Sequence, residues 1–159
     1  MSIKRSMEKL SGLLLIILWL PIGNASANDP FSMLKDSSSL SPDRVLILVA
    51  EIENCSFCKR VKNNFLLPLT QDKKWEPMFQ VRRIDLNSLA LVTDFSADTT
   101  TQKNLALALS ADFSPTVLFL DPRSGERIGQ DIIGLVTPDF YGFYLQQEIA
   151  QSYEQLTGL

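Results

Sequence analysis

Cys55 and Cys58 are the residues of this 159-residue chain best suited to chemistry, because they are its only cysteines and it contains no histidine. A structural zinc site needs about four nitrogen or sulfur ligands, so no metal site is expected. A c-type haem attachment needs histidine directly after the second cysteine, where Lys59 stands. The Cys-x-x-Cys spacing therefore predicts a reversible dithiol–disulfide couple. A purely structural disulfide is the weaker alternative, since closing so short a loop removes little chain entropy.

Residues 1–27 have the pattern of a cleaved export signal. Lys4, Arg5 and Lys9 come before an apolar run at 13–20 that is too short to span a bilayer comfortably. Residues 25–27, Ala-Ser-Ala, give the small-x-small pattern that signal peptidase cleaves. We therefore expect export to a bacterial periplasm, with an uncleaved membrane anchor as the alternative.

The chain beyond residue 27 is more acidic than the whole sequence. The full sequence has 15 basic and 18 acidic residues, and the leader contributes three of the basic ones and one of the acidic ones, which leaves a net charge of −5. An acidic protein binds phosphate backbones and anionic lipid surfaces poorly, so no nucleic-acid partner is expected. The small basic cluster of Lys59, Arg60 and Lys62 is interpreted as a solvated helix face. The length allows one domain with one core, and a monomer is expected.

Alternating strands and helices are predicted for that part of the chain. Residues 28–43 are expected to be a loose N-terminal segment with a short helix at 31–34, and residues 44–159 to form the domain. Apolar runs and apolar periodicity predict strands at 44–52, 79–86, 116–120 and 127–133, the last two as a hairpin, and helices at 56–69, 102–111 and 137–156. Pro68 predicts a kink or a helix end. Thr137 is the expected N-cap of the last helix, with Pro138 at its first position. Residues 87–101 have no assignable element.

Cys55 falls where the first buried strand passes, after a predicted turn at Glu53 and Asn54, to a helix N-terminus. The free N–H groups and the dipole of the helix stabilise a thiolate there, while Cys58, one turn inside, suits the role of resolving thiol. Attack by Cys55 on a client disulfide would give a mixed disulfide, which Cys58 then releases. The nearest acids are Glu51 and Glu53. Either could accept a proton from Cys58, but the favoured interpretation is that both are solvated carboxylates at the strand end.

The order and spacing of several motifs resemble the thioredoxin superfamily, and more closely its SoxW-type periplasmic branch. The resemblance covers about residues 44–156. Its motifs are Cys55-Ser56-Phe57-Cys58-Lys59, Arg83-Ile84-Asp85-Leu86, Val92-Thr93-Asp94-Phe95, residues 101–106, residues 114–119, Asp121, Gly125, Gly134 and Pro138-Asp139-Phe140. It implies an α/β, thioredoxin-like fold, in which helices flank a central mixed four-stranded sheet and Pro115 follows a cis peptide bond.

The resemblance also implies roles for residues near the cysteines. Ser114 would pair with substrate backbone and shape the redox properties, and Ser56 and Pro115 would line the substrate-binding surface. Phe57 would contact client polypeptides, with ordinary packing over the helix as an equal alternative. Cytosolic thioredoxins usually carry a buried acid at the position of Val49, so this chain departs from them there.

The function implied is that of a periplasmic thiol–disulfide oxidoreductase that mainly reduces protein disulfides. A membrane electron donor would keep it reduced, and no cofactor is expected. Strongly oxidising character is disfavoured because the dipeptide between the cysteines contains no histidine. The alternatives are a disulfide isomerase or oxidase of the same fold, and a non-catalytic thioredoxin-like binding module whose disulfide is structural.

Overall fold

Six strands and four α-helices make up the computed structural model, which describes residues 30–159. The predicted signal peptide lies outside these residues. The strands are β1 (Val45–Glu51), β2 (Phe79–Asp85), β3 (Leu91–Thr93), β4 (Thr99–Thr101), β5 (Thr116–Leu120) and β6 (Ile132–Ile133). The helices are α1 (Ser56–Arg60), α2 (Leu67–Gln71), α3 (Gln102–Ala108) and α4 (Pro138–Thr157), with a π-helical segment at Val61–Leu66 and 3-10 turns at Ser37–Ser39 and Glu76–Met78.

The central sheet has the strand order β2-β1-β5-β6, and β3 pairs with β4 in a separate ribbon. Strand β1 is parallel to β2 and antiparallel to β5, and β5 is antiparallel to β6. All seven residues of β1 are buried, as its continuous apolar run predicted. The predicted α/β fold with a mixed four-stranded sheet between helices is confirmed.

Alternate residues of β1 enter two separate cores, because successive side chains of a strand point to opposite faces. Val45, Ile47 and Val49 pack with residues of α2, α4 and the π-helical segment. Leu46 and Leu48 pack with residues of α3 on the other face. The two helical layers therefore hold β1 in the middle of the molecule, and its carboxyl end delivers the chain to Cys55.

The helical stretch after Cys55 continues past Pro68 to Gln71, so of the two outcomes predicted there, a kink or an end, the end is wrong. A π-helical turn precedes the proline, and Leu67 N–H donates to the carbonyl of Lys62, five residues back. A wider turn suits this place because proline has no N–H to donate and its ring crowds the preceding turn of a regular α-helix. Because the π-helical turn holds one residue more than an α-helical turn, Leu66 is the fully buried side chain there, and Phe65, which apolar periodicity placed in the core, is half-buried.

The N-terminal segment is packed against the sheet and has no helix at 31–34. Leu34 N–H donates to the Arg83 carbonyl at 2.9 Å, and Arg83 N–H donates to the Ser32 carbonyl at 3.1 Å, so the segment lies along β2. Leu34 is fully buried beneath α3. Its apolar side chain finds a place in the core, and the expectation of a loose segment is wrong for the described residues from 30 onward.

The predicted fourth strand is much shorter than 127–133. Only Ile132–Ile133 pairs as a strand with β5, and an isolated bridge joins Leu120 to Arg127. Between them the chain turns to α4, where Gln130 N–H donates to Glu148 Oε2 at 2.8 Å. A side chain at Gly129 would come within 2.3 Å of Ser152 Oγ, so this close approach requires glycine.

Two further predictions concerned the last helix and the unassigned connection. Pro138 does occupy the first position of α4, but Thr137 has a left-handed φ of 49° and its side chain makes no cap; its hydroxyl donates to the carbonyl of Val136 instead. Residues 91–101, which had no assignable element, contain the β3–β4 ribbon.

No helix within residues 30–159 combines the length and apolarity needed to cross a bilayer.

Candidate active site

A disulfide joins Cys55 to Cys58 at the carboxyl end of β1, with a Cα–Cα distance of 5.2 Å. Cys55 is the N-cap of α1, and its Sγ accepts a hydrogen bond from Cys58 N–H at 3.0 Å. Cys55 is partly exposed, whereas Cys58 is only 1% exposed. After reduction, the N–H groups at this helix end would face a Cys55 thiolate, which is the environment that stabilises one.

Asn54 makes the turn that presents Cys55. It has a φ of 58°, in the left-handed region that asparagine tolerates better than most residues. The chain therefore leaves the buried strand and enters the helix within three residues, Ile52 to Asn54. The predicted turn at Glu53 and Asn54 is confirmed.

Ser114 lies against both sulfur atoms. Its Oγ is 3.1 Å from Cys58 Sγ and 3.6 Å from Cys55 Sγ, and it accepts a hydrogen bond from Ile52 N–H at 3.2 Å. The two sulfurs are joined in a disulfide and carry no hydrogen, so the Ser114 hydroxyl can only donate toward them. The Ser114–Pro115 peptide bond is cis, as the resemblance implied, and Pro115 is buried at the start of β5.

Ser56 and Phe57 occupy the exposed first turn of α1. Phe57 is 59% exposed, and its role in client contact stays a prediction. Phe113, next to Ser114, is 55% exposed. With Leu107, Ile52 and Ser114, it lines an apolar cavity of about 380 Å³ on one side of the site. The sequence did not predict a role for Phe113 or this cavity. Its lining residues Ile52, Leu107 and Phe113 are far apart along the chain, and only the fold brings them together.

Glu51 is buried and ion-paired, so its interpretation as a solvated carboxylate is wrong. Lys62 Nζ lies 2.9 Å from Oε1 and 2.7 Å from Oε2, and Arg83 Nη1 lies 3.0 Å from Oε1. A carboxylate that closes a buried strand requires such partners to offset its lost hydration. Lys62 is mostly buried here, so it is not part of a solvated helix face either. Glu53 is exposed, as predicted.

A polar cavity of about 320 Å³ adjoins Cys55 on the side of the site where β2 lies. Its charged lining consists of Lys59, Lys62, Arg83, Glu51 and Glu53. The two cavities meet at Ile52, so the disulfide stands between an apolar surface and a charged one. Within residues 30–159, no group of three or more histidine, cysteine or acidic residues is placed to hold a metal ion.

The fold was compared with those of known proteins. Thioredoxin from Fasciola hepatica superposes with a TM-score of 0.50 at 13% identity, covering 77% of this chain and 99% of that one. This chain has the thioredoxin fold. A thioredoxin-fold protein from Helicobacter pylori gives a TM-score of 0.48 at 20% identity, with 84% and 96% of the two chains covered. Thioredoxin O2 from Arabidopsis thaliana in its oxidized state gives 0.49 at 18% identity, with 75% and 95% covered.

No protein-family model and no curated protein sequence matches this chain. The SoxW-type branch therefore stays a prediction. In the thioredoxin fold, a Cys-x-x-Cys disulfide at a helix N-terminus, with one cysteine partly exposed and the other buried, supports a thiol–disulfide redox role.

Proposed function

We propose that this protein is a periplasmic thiol–disulfide oxidoreductase that reduces protein disulfides. The arrangement around Cys55 carries the proposal: the residue is partly exposed, and its sulfur accepts an N–H at the start of α1 and lies 3.6 Å from the Ser114 hydroxyl. Cys58, by contrast, is enclosed. The export pattern of residues 1–27 supports a periplasmic location.

The reaction divides between the two sulfurs. The Cys55 thiolate attacks one sulfur of a client disulfide, forms a mixed disulfide and expels the other client sulfur as a thiolate. The Cys58 thiolate then attacks Cys55 Sγ, which forms the Cys55–Cys58 disulfide and releases the second client thiolate. The client gains two electrons and the protein loses two. A dithiol donor in the membrane would restore the reduced protein.

The surroundings of the disulfide suit a polypeptide client. Phe57 and Phe113 are exposed apolar residues near the disulfide, and Ser114, which contacts Cys58 Sγ, also lines the apolar cavity. Exposed aromatic residues next to a reactive centre offer desolvated contact to unfolded or loop segments. Client binding by Ser56, Phe57, Ser114 and Pro115 is part of the proposal.

The direction of electron flow follows from how strongly the reduced form is stabilised. Strong oxidants near −120 mV owe their potential to a highly stabilised reduced form, whereas thioredoxin lies near roughly −270 mV. Here an N–H and one hydroxyl face the sulfurs, and the chain has no histidine. We therefore expect a potential of roughly −200 to −270 mV, nearer the reducing end.

Redox equilibration tests the direction. Protein purified from the periplasm would be equilibrated with glutathione buffers and its dithiol fraction read by mass. A potential above about −150 mV would overturn the reductase and favour an oxidase.

Cysteine variants test the chemistry itself. Cys55→Ser and Cys58→Ser should each abolish insulin reduction, and Cys58→Ser alone should accumulate a covalent client complex through Cys55. Trapping through Cys58 in the Cys55→Ser variant would reverse the assigned roles. Full biological activity of the double variant would favour the non-catalytic binding module.

A further inference from the structure

We infer that the polar cavity beside Cys55 is a carboxylate subsite, which favours client disulfides with a carboxylate close to the sulfur that joins Cys55. This inference rests on the proposed function, since it concerns the mixed disulfide formed there. Cys55 itself lines the cavity. Any group attached through that sulfur therefore has this volume of about 320 Å³ next to its first residue.

The cavity is locally positive in an acidic protein. Its lining contains three cations, Lys59, Lys62 and Arg83, and two carboxylates, which leaves one positive charge. The chain beyond residue 27 has a net charge of −5. A concentration of positive charge in a concave, partly desolvated place attracts anions more strongly than the same charges would on an open surface.

Glu51 fixes two of these cations without using all of their donors. Lys62 Nζ donates a hydrogen bond to Glu51 Oε1 and lies 2.7 Å from Oε2, which does not use all three of its N–H groups. Arg83 donates through Nη1 to Glu51 and through Nε to the Phe31 carbonyl. Within residues 30–159, its Nη2 makes no hydrogen bond. The buried carboxylate thus holds the cations in place at the edge of the cavity.

Lys59 supplies the adjustable cation. It lies one turn beyond Cys55 on α1, is exposed and has no ion-pair partner among the described residues. Glu53 is the carboxylate in the lining that opposes an incoming anion, and it is likewise without an ion pair in the described part of the chain. The two residues therefore give substitutions with opposite expected signs.

In the mixed disulfide, the client sulfur is bonded to Cys55 Sγ and its neighbouring carboxylate pairs with Lys59 and the free donors of Arg83. No electrons beyond those of the proposed exchange are involved. The carboxylate can come from an acidic residue beside a client cysteine or from a small thiol such as glutathione.

The test compares rates of reduction of matched disulfides by the reduced protein in stopped flow. One set contains peptide disulfides identical except for Glu, Gln or Lys beside the cysteine. The other pairs oxidised glutathione with its diethyl ester, in which the glycyl carboxylate next to each cysteine is blocked. We expect the Glu peptide to be reduced about threefold faster than the Gln peptide, and the Lys peptide more slowly than both. A ratio of this size corresponds to the free energy of a partly exposed charge pair. An advantage in the peptide set assigns the subsite to polypeptide clients, and one confined to glutathione assigns it to small thiols.

Variants connect the preference to the cavity. Lys59→Gln should remove most of the acid-to-neutral rate ratio, and Glu53→Gln should increase it. Arg60→Gln is the matched control, because Arg60 is exposed on the same helix but does not line the cavity. A ratio near one in both sets, or a ratio that Lys59→Gln leaves unchanged, overturns the subsite. Reduction of the Gln peptide at an undiminished rate would then still support the proposed function, whereas failure with every disulfide would overturn that function.

Discussion

Three aspartates around the amino end of strand β1 and Glu51 at its carboxyl end are held in opposite ways. Around its amino end, Asp36, Asp94 and Asp121 each accept a hydrogen bond from the backbone N–H two residues later, at 2.8–2.9 Å. At its carboxyl end, Glu51 pairs with Lys62 and Arg83, which are 11 and 32 residues away along the chain. The three aspartates are held by their own turns, as Asp85 beside Glu51 also is, whereas Glu51 is held only by the folded sheet and helices. Long-range pairing alone does not set Glu51 apart, since Arg44 and Glu76 pair at the amino end, but Glu51 is buried whereas Glu76 is exposed.

This difference separates supporting loops from the reactive end. An aspartate that bonds its own turn keeps that partner whatever the rest of the molecule does. Glu51 depends on α1 and β2 being in place, and the same packing forms the cavity beside Cys55. The site beside Cys55 therefore depends on a buried, long-range ion pair, and substitution of Glu51 should cost more stability than substitution of a turn aspartate such as Asp94.

The largest effect is expected for Glu51→Ala. It leaves the mostly buried Lys62 facing Arg83 without a counter-charge, which should lower the free energy of unfolding by about 3–5 kcal/mol. Asp94→Ala, at the other end, removes bonds within its own turn and should cost about 1 kcal/mol. Urea unfolding of the oxidised proteins measures both, with the exposed Glu53→Ala as control. Equal losses for Glu51→Ala and Asp94→Ala would remove the distinction between the two ends.

An intermediate effect is expected for Ser114→Ala at the reactive end. Loss of the hydroxyl removes a donor that stabilises the thiolates of the reduced form, so the reduction potential should become more negative. A hydrogen bond of about 1–2 kcal/mol corresponds to roughly 20–40 mV for this two-electron couple. Ser114→Thr keeps the hydroxyl and should stay near the wild-type value. A potential that rises in Ser114→Ala would contradict the assigned direction of the bond.

The smallest effect is expected for Asp121→Asn at the amino end. The side-chain hydrogen bond from Arg123 lowers the pKa of Asp121. A folded pKa below the unfolded value of about 3.9 stabilises the protein above that pH, and this contribution is lost as the pH falls through the folded pKa. Urea midpoints of wild type and variant should therefore differ at neutral pH and converge in acid. A difference that persists at the lowest pH would indicate a cause other than this ionisation.

The sequence by itself predicted the elements whose signals are local. The apolar run of β1 predicted a strand buried on both faces, and the two cysteines at its end predicted the disulfide. The cis bond before Pro115 followed from the resemblance and not from propensity, since most X–Pro bonds are trans. The turn at Glu53 and Asn54 was also readable, because asparagine tolerates the left-handed conformation.

Only the tertiary structure decided what depends on distant neighbours. Leu34 belongs to the core because β2 is there to receive it, and the segment at 31–34 cannot form a helix while it bonds to Arg83. Glu51 can be buried because Lys62 and Arg83 form ion pairs with it, and no sequence pattern near Glu51 predicts either partner. Hydrophobic periodicity and turn propensity act over a few residues, whereas the burial of a charge depends on which residues the fold brings beside it.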